Sequence, residues 1–178
     1  MKKTIFVLLV SAAIVFLLIG CDSQGNTPND KVQAEEIQQE ISAEERRRMD
    51  LYVAVLKAAF QEENGGKAFV AVKLDTLEGL SDEEKVEVLK ELSDLSPNVY
   101  NFKDVKNDST KFELDDDGRL VRTIDGALLW IEVEEYSESK STITGVSWFG
   151  NLGAVFPKYE AIFKNGKWQL ELISMAVS

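Results

Sequence analysis

Apolar and polar positions divide the chain into regimes of different period. An almost unbroken apolar run extends from Ile5 to Ile19, behind Lys2 and Lys3. From Asp22 to about Ile41 the chain is polar, with Ser23, Gln24, Gly25, Asn26, Thr27, Pro28 and Asn29 leading into a Gln/Glu-rich stretch that holds Ile37 and Ile41. Beyond it, apolar residues first recur every three or four positions and then, from Lys111 onward, every second position. The first spacing is that of an amphipathic helix and the second that of a half-buried strand.

Ser42-Ala43-Glu44-Glu45 has the form of a capping box, in which a hydroxyl and a carboxylate satisfy each other's orphan amides. It predicts a helix to about Glu63 on Met49, Tyr52, Val53, Leu56, Ala59 and Phe60, stopped by Asn64-Gly65-Gly66. Lys67–Leu74 alternates and is rich in Val and Phe, so it reads as a strand. Ser81-Asp82-Glu83-Glu84 repeats the capping box and opens a second helix to about Leu95, on Val86, Val88, Leu89 and Leu92, before Pro97. Asn98 to Thr110 is expected to be an irregular connection, its Val99, Tyr100, Phe102 and Val105 tucked against the core.

The remainder reads as strands: Lys111–Leu114, Arg119–Thr123, Ala127–Tyr136, Ser141–Phe149, Ala154–Lys164 and Lys167–Ala176. Asp117-Gly118 and Asn165-Gly166 are the hairpin turns, because both central residues of a type I′ turn need positive φ. Two helices ahead of a strand meander give an α+β class, with helices on one face of a curved antiparallel sheet. The three regimes divide the chain into a leader (1–20), a tether (21–42) and one α+β domain (43–178).

The leader has a basic start, an apolar centre and a small residue before Cys21, which is the layout of an export signal. Its close, Leu18-Ile19-Gly20-Cys21, resembles the lipobox of bacterial lipoproteins. That resemblance implies cleavage after Gly20, a diacylglyceryl group on Cys21, and lipid anchoring at the extracytoplasmic face of the cell membrane. The apolar run is short of the ~20 residues that a spanning helix requires. No Ala-x-Ala site for an unlipidated secretory signal precedes Cys21. The element order after Ser42, with the final hairpin Tyr159-Glu160-Ala161-Ile162-Phe163-Lys164-Asn165-Gly166-Lys167-Trp168-Gln169-Leu170, resembles the NTF2-like fold, with a cystatin-like wrap as the alternative. The whole chain is also similar to small Gram-positive lipoproteins.

Composition narrows the chemistry. Without residues 1–20 the formal net charge is −13, which repels nucleic acid and anionic headgroups, so membrane association falls to the lipid. Cys21 is the single cysteine, so no intrachain disulfide forms, and the chain has no histidine. That excludes Ser-His-Asp and Cys-His nucleophiles and any His-ligated metal. No cofactor is implied.

Several stretches invite a functional reading. Arg46-Arg47-Arg48 is either a solvated face or a grip for an anion. Glu113, Asp115, Asp117 and Gly118 match the start of an EF-hand loop, but Ile124 stands where a bidentate Glu is needed, so a solvated hairpin turn is expected and no metal site. Ser147–Gly153 carries two aromatics and two glycines before a strand rather than a helix, which reads as a connecting turn and not a phosphate loop. Glu132 and Glu134 pair without any sign of a cleft. Trp130, Trp148 and Trp168 fall one to each of three strands; Trp168 shares the face of Leu170 and Leu172 and is expected in the core, whereas Trp130 and Trp148 alternate with Glu and Thr. Trp130, Trp148 and Tyr159 are the candidate ligand-binding residues. The resulting expectation is a non-catalytic, lipid-anchored domain that binds a small ligand or a surface protein; the alternative is an NTF2-like enzyme acting on a small apolar or sugar substrate through carboxylates.

Overall fold

The computed structural model describes residues 42–178. The leader, Cys21 and most of the tether therefore lie outside the described residues. The class is α+β: three helices and one mixed, open sheet of eight strands.

Helix α1 (Ala43–Glu62) begins where its capping box predicts, with the Glu45 amide donating to Ser42 Oγ at 3.2 Å and the Ser42 amide to Glu45 Oε2 at 2.9 Å. It ends as Glu63 turns extended, and the Asn64 side chain donates back to the Phe60 carbonyl at 2.9 Å. Its buried set is wider than one stripe, because Leu51 and Val55 join Met49, Tyr52, Val53, Leu56, Ala59 and Phe60. The sheet covers one side of this helix, and α2 (Asp82–Glu91) with Leu77 and Leu80 of the preceding loop closes the other. A capping box at Ser81 and Glu84 starts α2, and its last turns are looser than expected, ending at Glu91.

The long strands are β5 (Gly126–Tyr136), β6 (Lys140–Gly150), β7 (Gly153–Lys164) and β8 (Lys167–Val177), an antiparallel meander. Asn165 (φ 54°) and Gly166 (φ 77°) form the tight turn expected between β7 and β8. Helix α1 lies directly on β6 at Gly145, where a Cβ would stand 2.8 Å from Val55 Cγ1 and 2.9 Å from the Val55 carbonyl oxygen. Only a residue without a side chain permits that approach.

The sheet is not antiparallel throughout, which corrects the expectation. Strand β1 (Phe69–Val72) runs parallel to β5 on one side and to β2 (Val99–Asn101) on the other. The stretch read as an irregular connection thus contains β2 and a short helix, α3 (Phe102–Val105). With α2 between them, β1 and β2 make a βαβ crossover, which the helices-first order had concealed. The hairpin of β3 (Phe112–Leu114) and β4 (Leu120–Thr123) joins the sheet where Arg122 pairs with Gly150.

Two cores result. The larger lies between α1, α2 and the sheet. The smaller lies on the opposite face, where Phe69, Ala71, Val105, Phe112 and Leu128 pack together. Phe112 meets Phe69 and Phe102 edge-on at ring separations of 5.5 and 5.6 Å, a geometry that aligns ring edges with π faces. Asp108 aims this loop, accepting from Thr110 and Lys111, and those bonds draw its carboxyl down to about 2.

Candidate functional site

Alternation along β5 and β6 places Leu128 and Trp130 opposite Trp148 and Val146, on the face away from α1. Trp130 and Trp148 are therefore on one face, both half-buried, and neither lines the cleft described below. Tyr159 is not with them. It sits opposite Ile143 in the core beneath α1, 4% exposed, and its hydroxyl has no hydrogen-bond partner. Burial, then the nearby Glu62 charge, pushes that hydroxyl up to about 12. Trp168 packs on the α1 core as expected, and its Nε1 donates to the Arg47 carbonyl at 2.7 Å.

Around Trp130 the outer face is organised by cation and edge contacts. Lys73 continues the face of Phe69 and Ala71, and its Nζ stands 3.7 Å from the centre of the Trp130 ring. Burial lowers the Lys73 pKa, while Asp75 and Glu132 act against that. Trp130 Nε1 donates to Glu132 Oε1 at 3.2 Å, and Phe156 meets the indole edge-on at 6.4 Å. One face of the indole is thus already covered, so Trp130 is a packed part of this outer face and not a free stacking platform.

A concave feature lies next to it. A cleft of about 350 Å³ is lined by Leu74, Asp75, Asp82, Lys85, Val86, Asn101 and Lys103. It opens at the carboxyl ends of β1 and β2, under the first turn of α2. Asp75 belongs to this cleft and its charge reaches Lys73, so residues 73–75 join the cleft to the aromatic face. Lys85 approaches Asp82 only to 3.9 Å. Val86 is 49% exposed, an apolar floor beside four charges of both signs. This cleft leaves no periodic signal in the sequence, because β2 is only three residues long. The usable signal was the order strand, capped helix, short Val-Tyr segment, which is the order of a βαβ unit.

The other candidates are occupied by structure. Arg46 pairs with Glu91 of α2 at 3.4 Å, Arg47 with Glu138 of the β5–β6 turn at 2.8 Å, and Arg48 with Glu44 at 3.1 Å. Arg48 also lies over the Tyr136 ring, 4.2 Å from its centre. The run is neither a bare solvated face nor a free anion grip; it ties the first turns of α1 to three neighbours. In the Asp-rich turn, Asp115 accepts from the Asp117 and Arg119 amides, and the Arg119 guanidinium bridges Asp115 and Asp117. Glu134 bonds Lys158 at 2.6 Å and Glu132 holds Trp130, so this carboxylate pair does not converge on one point.

Among the described residues, no group of three or more His, Cys, Asp or Glu is placed to hold a metal ion, and no helix is long and apolar enough to cross a membrane. No family model, curated protein or solved structure matches this chain.

Proposed function

We propose that this chain is a lipid-anchored, extracytoplasmic binding protein, held at the cell membrane through Cys21, whose domain takes a small polar ligand without transforming it. The observation that carries the binding half is the cleft of about 350 Å³ at the carboxyl ends of the parallel strands, lined by Asp75, Asp82, Lys85 and Lys103. Open sheets with parallel strands bind ligands at that edge, because the strand-to-helix loops converge there. The volume is at the small end of ligand sites. Carboxylates and ammoniums in one cleft, with Asn101 to donate and accept, match a ligand carrying both charges, such as an amino acid or a short peptide.

The anchoring half rests on Lys2-Lys3, the apolar run and Leu18-Ile19-Gly20-Cys21. The finer fold reading, NTF2-like or cystatin-like, is supported by α1 lying across the β5–β8 meander. The enzyme alternative needs an interior substrate site, whereas Tyr52, Leu56 and Phe60 fill the space beneath α1.

The test is native against denaturing mass spectrometry on the full chain in mild detergent, followed by titration with an amino-acid and dipeptide panel. A small mass released on denaturation, or saturable binding weakened at least tenfold by Lys103→Ala, is expected. Absence of both would overturn the binding half. For the anchor, Cys21→Ala is expected to leave the chain unprocessed or release it from membranes; a processed form still retained there would overturn lipidation.

A further inference from the structure

Strand β8 is an open edge: among the described residues it pairs only with β7. An edge of 11 residues is long, and such edges are normally blunted by charge, proline or distortion. Here Lys167 and Glu171 guard only the first half. The segment Leu172–Ser178 carries no charged side chain, on a chain whose formal net charge is −11. Ile173, Met175 and Val177 are 52%, 46% and 69% exposed.

The pattern within that segment is specific. A bulge lies at Ile173, where Lys158 pairs with Ser174 but Tyr159 with Leu172. After it, large apolar residues (Ile173, Met175, Val177) alternate with small ones (Ser174, Ala176, Ser178), so each kind keeps to one face. The backbone follows the same period. Ser178 and Ala154 exchange both amide–carbonyl bonds, at 3.0 and 3.4 Å. Since bonded and non-bonded pairs alternate in an antiparallel ladder, Val177 and Met175 direct their amides and carbonyls away from β7, toward the open side.

We propose that β8 pairs with β8 of a second copy of this chain, antiparallel about a twofold axis at Met175, making one sheet across two protomers. In that register Met175 faces Met175, Ile173 faces Val177, and Ser174 faces Ala176. Large apolar side chains meet on one face and small ones on the other. The outward backbone groups of Met175 meet their own copies in a bonded pair. No charge opposes a like charge, which an acidic chain needs in order to self-associate, and a slip of one residue would lose both matches. Such a contact is isologous and closes as a dimer instead of growing into a fibre.

The test uses the full chain in mild detergent with Met175→Cys. A bonded pair across the axis sets Cα atoms about 5.5 Å apart, inside the range of about 4.4–6.8 Å that a disulfide spans. Mild oxidation should convert most of this variant to a covalent dimer of twice the chain mass. The parent chain, with Cys21 alone, and Lys167→Cys should stay at background. A Met175→Cys yield no higher than these controls would overturn the proposal. So would a cross-linked product of any other mass, which would mean that a different protein covers this edge. Sedimentation gives the second arm: the parent should run as a dimer and Met175→Lys as a monomer with an unchanged circular dichroism spectrum. A parent that is monomeric at tens of micromolar would also overturn the proposal.

Discussion

The hydroxyl of Tyr159 is a buried donor with nothing to receive it, and its cost is carried by the apolar packing around its ring. Deleting an unsatisfied polar atom removes a desolvation penalty, so Tyr159→Phe should raise stability by about 1 kcal/mol in denaturant unfolding. A loss of that size would show that the hydroxyl is bonded in solution. The alkaline limb supplies an independent check. The folded-state pKa of Tyr159 is raised from 10 to about 12, so its contribution is complete below 10 and is lost as pH climbs through 12. The Phe variant should lack that part of the alkaline decline. Tyr159 also marks where sequence alternation stopped being sufficient. Counting back through the Asn151-Leu152 turn from Gly150 opposite Gly153 would set Trp148 and Tyr159 on one face. The bulge at Phe149 shifts the pairing by one, so that Trp148 meets Ala154 and Tyr159 falls under α1. Phe149 is wedged there between Gly65 and Gly153, where a Cβ on either would come within 2.5 Å of it. That tertiary contact leaves no trace in the period of β6 itself.

At the scale of elements, Gly145 and Gly166 of the meander separate two physical roles. Gly166 has φ 77° with no atom within 4 Å of an added Cβ. Gly166→Val should therefore cost about 1–3 kcal/mol through backbone strain alone. Gly145 has ordinary φ but faces the Val55 carbonyl and the Ala59 Cβ at 2.9 Å, so Gly145→Val must push α1 off the sheet. It should cost at least as much, through overpacking. Thermal or urea unfolding distinguishes them, because replacing Val55 by Ala should recover part of the Gly145→Val loss and none of the Gly166→Val loss. The elements themselves were legible wherever a local rule applied: two capping boxes began two helices, and Asn165-Gly166 closed its hairpin. The parallel pairs of β1 were not legible, because β2 and α3 span three and four residues and owe their form to the aromatic core above them. The cleft went with them, since it exists only once β1 and β2 lie side by side.

For the molecule as a whole, α1 is the shared partner. The same helix packs on the meander, on α2 and, through the Arg47 carbonyl, on Trp168. The larger core does not close without it, and the smaller one is built on the reverse side of the same strands β1 and β5. Denaturant unfolding should accordingly be a single transition, with tryptophan fluorescence and far-ultraviolet circular dichroism coincident. Separated midpoints would mean that the outer aromatic core holds together independently. The class at this scale followed from the grouping of periods along the chain, but the order of the strands in the sheet and its mixed direction did not, because periodicity is blind to pairing and direction.

The bond from Trp168 to Arg47 joins residues 121 apart in sequence. During synthesis at about 5–20 residues per second, α1 is complete on the order of 6–24 s before its last strand exists. Through that interval the capping box holds the first turn while α2, β5 and β6 arrive in turn to cover Leu51, Tyr52, Val55 and Phe60, and the place of Trp168 beside Arg47 stays empty to the last. The final closure of the domain thus belongs to the contact most distant in sequence.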